Sequence, residues 1–380
     1  MKTIVVLGAG LAATPIIHNL MKEVVNKSSD YKLVLVAPNT HYHYPIAMPR
    51  VIVPGVMSAD KVLVDLRPGF KDFSAEKFEF LEGKASGLDP SGNTVTVALN
   101  DGGSRTVEYS TLVVATGAST KDGMPWKTLA NTEETAEKIR QVQGEIEKAK
   151  VILVAGGGVT GTEAAGELGC EYSAKGAKEV HFVYNEALPL YSDVIDGARK
   201  AAESELRKMK VKLHASTSVG KVGRKDGGGY EIELKAKDGS STTLAADAYV
   251  PAFGLTPNAA FAPAGLLDER GYLKQSRTLQ HPAHANIFVL GDVGNLEPSK
   301  AMIADAQTKH LVKNLPAHLL SGAAVPAYEP SAKSMYGITL GRNKATGQMG
   351  TFKLPSIMIW FVKGRTLFTE KVPALALGQA

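Results

Sequence analysis

Two short stretches of this 380-residue chain carry glycines at a spacing that can cradle phosphate. Residues 3–20 read TIVVLGAGLAATPIIHNL, and residues 151–167 read VILVAGGGVTGTEAAGE. Each is an apolar strand-like run, a glycine cluster and the start of a helix. In a G-x-G-x-x-G/A turn the first glycine permits the tight bend and the second lets the backbone approach a pyrophosphate. The third small residue lets helix and strand pack closely. The N–H groups at the helix start then face the anion. Gly8, Gly10 and Ala13 fill these positions in the first copy, and Gly156, Gly158 and Gly161 in the second. One such turn would be a weak signal. Two, each between a strand and a helix, predict two dinucleotide sites.

An acid usually ends the second strand of such a unit and holds a ribose hydroxyl. Here that slot falls on Ala37 in the first unit and on Tyr184 in the second. Asn39 and Thr40 are the candidates to replace it in the first unit, and Asn185 and Glu186 in the second. A 2′-phosphate calls for an arginine near this slot, and none follows until Arg199. That favours NADH over NADPH as the visiting nucleotide, with NADPH left open. His41 and His43 form an H-x-H pair, but no Asp, Glu or Cys lies close enough to complete a ligand set, so no metal is expected. Cys170 is the only cysteine, which excludes an internal disulfide or C-x-x-C pair and points to a reducing, cytoplasmic setting. We expect it to be a small core residue rather than a nucleophile.

The elements that must position these residues follow the same pattern. An IVVL strand, a helix to about residue 26 and a YKLVLVA strand make the first βαβ unit. Residues 78–99 alternate like a β-meander with turns at DPSGN and NDGG, and STLVVATGAS is a buried strand running into Ala115, Thr116 and Gly117. Residues 132–149 have helical spacing, the second βαβ unit spans 151–184, and 295–320 reads as helix. Strands are expected near 335–340 and 349–354, and IMIWFV at 357–362 reads as a further strand of a small C-terminal unit. The apolar start breaks at GAG, which suits a buried strand better than a signal peptide, and the Met-Lys opening does not match a myristoylation signal. No apolar segment approaches the ~18 residues of a membrane span.

The net charge is +5, and the excess lies in the tail. Residues 331–380 hold Lys333, Arg342, Lys344, Lys353, Lys363, Arg365 and Lys371 against the single acid Glu370. Such a block suits peripheral contact with an anionic membrane. No nucleic-acid motif accompanies it, so no nucleic acid is expected as a partner.

Together with ATG at 115–117, AFGLTPN at 252–258 and LGD at 290–292, the two glycine turns resemble the two-dinucleotide-domain flavoproteins of glutathione-reductase type. The likeness covers about residues 1–320. GGGVTGTEAAGELG, KDGMPWK and NTHYHYPIAMPR are similar to the apoptosis-inducing-factor-like oxidoreductases, and YGITLGRNKATGQM with KGRTLF to their ferroptosis-suppressor-protein-like members. The resemblance implies an α/β fold with two Rossmann-like domains and a small C-terminal α+β domain. Residues 1–119 and 248–322 would form a split FAD domain, 120–247 the NAD(P)H domain and 323–380 the C-terminal domain.

It also implies roles. FAD would sit in the first cradle, bordered by the ATG strand, with Gly291 and Asp292 at its ribitol chain. NADH would sit in the second and deliver hydride to the flavin, whose electrons pass to a quinone or similar small acceptor. Glu163, two residues into the second helix, would shape the nicotinamide contact. Lys300 would stabilise the reduced flavin. Lys121 and Lys127 are candidates for cofactor phosphate, and Arg50 for phosphate or an active-site carboxylate. Glu167 would pair structurally, and Phe352 and Trp360 would wall a quinone. A soluble reductase of specialised metabolism and a slowly turning-over NAD(H)-binding signalling protein remain open alternatives.

Overall fold

Strand β1 (Lys2–Leu7) is a run of β-branched and leucine side chains, and Ile4, Val5 and Val6 lose all solvent exposure. Burial on both faces is what a central parallel strand requires. The chain then enters helix α1 (Ala13–Leu20), which places Ile16, Ile17 and Leu20 at helical spacing in the core. Burial of each such side chain contributes about 1.5–3 kcal/mol. β1 pairs in parallel with β2 (Tyr31–Ala37) on one side and with β3 (Thr111–Val114) on the other. These strands form the centre of an eight-stranded sheet, in spatial order 280–281, 284–289, 111–114, 2–7, 31–37, 78–89, 94–99 and 104–108. The last three strands are the expected antiparallel meander. The computed structural model describes residues 1–330 and 334–379, so Lys333 of the basic tail lies outside the described residues.

The second unit follows with α2 (Thr132–Lys148), β4 (Val151–Ala155), α3 (Val159–Leu168) and β5 (Glu179–Val183). Its sheet is fully parallel, in spatial order 212–214, 179–183, 151–155 and 248–251. We expected the chain to leave this unit at residue 248. Instead Ala248–Pro251 pairs along β4, and the return comes after Pro251. The cause is local: the Asp247 carboxylate accepts the N–H groups of Lys150 (2.8 Å) and Val151 (2.9 Å), which pins the incoming strand to the start of β4. A three-stranded antiparallel meander, 217–246, covers one face of this sheet.

Ala118–Thr120 pairs antiparallel with Leu255–Pro257, and this short ribbon carries both crossings between the two units. Helix α4 (Ala301–Ser321) returns along α1 and ends at Gly322, whose φ of +71° terminates the helix in the left-handed region. The tail forms a hairpin of β6 (Met335–Leu340) and β7 (Lys344–Met349) with a short third strand, Phe352–Lys353.

IMIWFV is not a strand. Residues Ser356–Ile359 form helix α5, which runs on as a wider turn through Trp360–Gly364. Pro355 precedes the helix, and its φ of −60° preorganises the first turn. Ile359 faces the hairpin and is buried, while Ile357, Met358, Phe361 and Val362 face outward. An all-apolar run hides the helical period that polar residues would have revealed.

The dinucleotide cradles and the carboxylates of the second helix

β1 ends at Leu7, and Gly8 takes φ +107° to turn the chain under β3. A Cβ at Gly8 would lie 2.4 Å from the Ala115 carbonyl oxygen. The second unit repeats this at Gly156 (φ +114°), where a Cβ would lie 2.7 Å from the Ala252 carbonyl oxygen. At Gly161 it would lie 1.9 Å from the Gly156 carbonyl oxygen, so strand and helix meet at backbone contact. Neither α1 nor α3 has a side-chain cap or an acid in its first turn, so no capping side chain or carboxylate competes with an anion for the N–H groups there.

The two cradles differ at the second glycine. A Cβ on Gly10 would meet nothing within 4 Å, whereas one on Gly158 would lie 2.6 Å from the Tyr191 phenol oxygen. The first cradle is open and fits the pyrophosphate of FAD. Ala13, its third small residue, is fully buried against the sheet.

The ATG and AFGLTPN motifs meet through Asn258. Its amide nitrogen donates to the Thr116 carbonyl (2.9 Å), its N–H to the Gly117 carbonyl (2.9 Å), and its own carbonyl accepts the Thr116 hydroxyl (2.7 Å). Ala115 stands directly over Gly8, so the three residues border the first cradle. Gly291 and Asp292 lie on a 3-10 turn at the end of the neighbouring strand. Asp292 pairs with Lys127 at 2.6 Å. Gln307, which we did not anticipate, is 1% exposed, and its side-chain oxygen accepts the Gly291 N–H at 2.9 Å. It sits in α4, and nothing in its sequence neighbourhood marks it as a support for that turn.

The ribose slots have structural explanations. Ala37 ends β2 buried, and Asn39 is also buried, with its side chain reaching the Leu129 carbonyl at 3.4 Å. Tyr184 turns its ring into the core beside Phe182, at a centroid separation of 5.0 Å. Asn185 and Glu186 follow as exposed residues. Arg199 donates to the carbonyls of Leu188 (2.9 Å) and Pro189 (3.1 Å), so it braces the loop after β5. Lys121 folds its methylenes over Gly254.

Glu163 and Glu167 lie on α3, at 3% exposure each. The helix begins at Val159, directly after the extended Gly158, so Glu163 stands one turn deeper than expected and outside the first turn. Its Oε1 accepts the Thr339 N–H (2.9 Å), the Thr339 hydroxyl (3.1 Å) and the Lys363 ammonium (2.7 Å). Its Oε2 has no donor among the described residues. Glu167 takes a two-pronged contact from Arg50, at 2.9 and 2.7 Å on one oxygen. The remaining Arg50 donors go to the carbonyls of Gly364, Arg365 and Gly341. Glu167 thus pairs structurally, as expected, and its partner is Arg50. Burial pushes the Glu167 carboxyl up, against the pull of Arg50.

Lys300 precedes α4 and reaches Asp193 (3.2 Å) and the Tyr336 hydroxyl (2.5 Å), while that hydroxyl donates to Asp193 at 2.6 Å. Burial raises the Asp193 carboxyl, but these two partners bring it below its usual range. Lys363 lies within KGRTLF, yet no periodicity indicates that it reaches residue 163. Phe352 is 75% exposed, and Trp360 spends its indole N–H on the Arg342 carbonyl at 2.6 Å. Cys170 is half-buried against Gly341. His43 is buried and bonds the Pro125 carbonyl at 3.1 Å. No cluster of three metal-ligating side chains occurs among the described residues.

The sequence profile of the family described as Pyridine nucleotide-disulphide oxidoreductase matches residues 2–308. The chain is 32% identical over 374 residues to Oxidoreductase ptaL of Pestalotiopsis fici, covering 98% of both chains. It is 26% identical over 372 residues to Ferroptosis suppressor protein 1 of Taeniopygia guttata, covering 97% of this chain and 94% of that one. Among solved structures it resembles the sulfide:quinone oxidoreductase of Aquifex aeolicus, with TM-score 0.78 and 18% identity, over 100% of this chain and 92% of that one.

Proposed function

Because this chain belongs to the pyridine nucleotide-disulphide oxidoreductase family, we propose that it is a flavoenzyme that takes electrons from NADH and gives them to a quinone. The observation that carries this reading is the pair of glycine cradles, each ending a parallel strand and opening an uncapped helix. With a single cysteine, Cys170, the chain has no redox disulfide to reduce. FAD in the first cradle would supply two-electron chemistry between a nicotinamide and an acceptor.

The protein's own residues hold and orient. Gly8, Gly10 and the first N–H groups of α1 would hold the FAD pyrophosphate, and Asp292 its ribitol hydroxyls once released from Lys127. Gly156, Gly158 and Gly161 would hold the nicotinamide dinucleotide. The free Oε2 of Glu163 would accept from its carboxamide, while Thr339 and Lys363 fix the other oxygen. Fixing the carboxylate before the nucleotide arrives lowers the ordering cost of productive geometry. With Arg199 committed to the loop carbonyls, and Glu186 exposed beside the ribose slot, a 2′-phosphate would find no free arginine and a nearby negative charge. NADH is the better fit.

The acceptor side rests on the C-terminal unit. Phe352, Ile357, Phe361 and Val362 are 57–75% exposed and are flanked by Lys353 and Arg365. An apolar face rimmed by cations suits the boundary of an anionic bilayer, where long-chain quinones reside. No helix among the described residues is long and apolar enough to cross a membrane.

Anaerobic mixing of the yellow protein with each nucleotide tests this. NADH should bleach the flavin at least about tenfold faster than NADPH, a difference of ~1.4 kcal/mol in barrier. Short-chain quinones should then restore the colour. If neither nucleotide bleaches the flavin, the oxidoreductase reading fails; if quinones do not restore it, the acceptor assignment fails.

A further inference from the structure

The contrast between the two cradles extends to the segment Leu190–Ile195. The second glycine of such a turn lacks a Cβ so that a pyrophosphate can come close. At Gly158 that space holds the Tyr191 ring: a Cβ there would lie 2.6 Å from Oη, 3.0 Å from Cζ and 3.3 Å from Cε1. At Gly10 the same space is empty.

The segment is held from both ends. The Leu190 N–H donates to the Gly157 carbonyl at 2.7 Å, and Leu190 takes φ +70°, a conformation that non-glycine residues avoid unless their surroundings impose it. The Ile195 N–H donates to the Gln348 side chain at 2.6 Å, and Gln348 donates in turn to the Asp193 carbonyl at 3.2 Å. The Asp193 carboxylate is fixed by Tyr336 and Lys300. The phenol between these anchors is 50% exposed and makes no hydrogen bond among the described residues. A side chain held by contact alone can leave by rotating about its own bonds while the backbone stays in place.

We propose that Tyr191 occupies the pyrophosphate position of the second cradle in the nucleotide-free protein and is displaced by the pyridine nucleotide. This rests on the second cradle being the nucleotide site. The phenol is a neutral stand-in, its pKa raised by burial and by Asp193. Apparent affinity is then the intrinsic affinity scaled by the fraction of molecules whose cradle is clear. Asp193 within this segment contacts Lys300, so the segment is tied to the entrance of α4.

The test uses the full FAD-loaded chain and NADH. Tyr191→Ala should tighten NADH binding, read as the equilibrium dissociation constant, by about three- to tenfold, whereas Tyr191→Phe, which keeps the ring, should stay within about twofold of wild type. In protein labelled with 3-fluorotyrosine, the fluorine signal missing from Tyr191→Phe should shift when NADH is added to the unsubstituted chain. Unchanged or weaker binding by Tyr191→Ala, or a fluorine signal that ignores NADH, overturns the proposal while leaving the nucleotide site intact. If wild type and Tyr191→Ala both fail to bind NADH and NADPH, the assignment of the second cradle falls, and this proposal falls with it.

Discussion

Glu167 shows how much a single buried charge depends on its partner. Both it and Arg50 are almost fully enclosed, and Arg50 is its only salt-bridge partner among the described residues. Arg50→Met should therefore cost ~3–5 kcal/mol, because it strands a carboxylate in the core. The double variant Arg50→Met/Glu167→Leu should recover most of that loss, and urea unfolding of the two proteins decides the point. Glu163 carries a functional prediction. Glu163→Gln keeps the shape but weakens the hold on Lys363 and on a nicotinamide carboxamide. Flavin reduction by NADH should slow by about tenfold, ~1.4 kcal/mol, in rapid-mixing traces. At this scale the glycines were legible, since the G-x-G-x-x-G/A spacing is itself a local pattern in the sequence. Lys363 was not, because its partner lies 200 residues away and only folding brings them together.

Among the elements, the short strand His41–His43 gives a pH dependence. His43 is enclosed against Pro125, and burial lowers its pKa from 6.5 to about 4. The unfolded chain therefore binds a proton more readily than the folded one between these values. The stability is present above pH 6.5 and drains as pH falls toward 4. Going from neutral pH to pH 5 should remove about 2 kcal/mol that His43→Gln does not lose, measured as unfolding midpoints of both proteins against pH. The βαβ units were legible because strand and helix periods change at each glycine cluster. The C-terminal helix was misread for the opposite reason: IMIWFV has no polar residue to mark a face. The boundary at residue 248 was missed because Asp247 fixes it through main-chain contacts that leave no pattern in the sequence.

Across the whole molecule, the second nucleotide unit is closed by the tail. β6 crosses α3 so closely that a Cβ on Gly166 would lie 2.9 Å from the Leu340 Cα. The outward face of the same tail carries the exposed apolar side chains. Replacing Ile357 and Phe361 by serine should abolish flotation with anionic vesicles at low salt, with the thermal midpoint essentially unchanged, because both side chains already face solvent. Flotation retained by the variant would show that this face is not the attachment, and a wild type that does not float would remove the bilayer from the acceptor route. The overall architecture could be inferred from the order of five motifs. The closure of one domain by the other end of the chain could not, since it is written in contacts between residues that no local pattern links.

The lattice around α3 also sets an order of assembly. Arg50 is synthesised before Glu167, so that pair can form as soon as α3 leaves the ribosome. Glu163 has no such early partner among the described residues: Thr339 and Lys363 emerge 176 and 200 residues later. While domains fold in order of synthesis, a growing chain would hold its second domain with one inward carboxylate still waiting for a counter-charge.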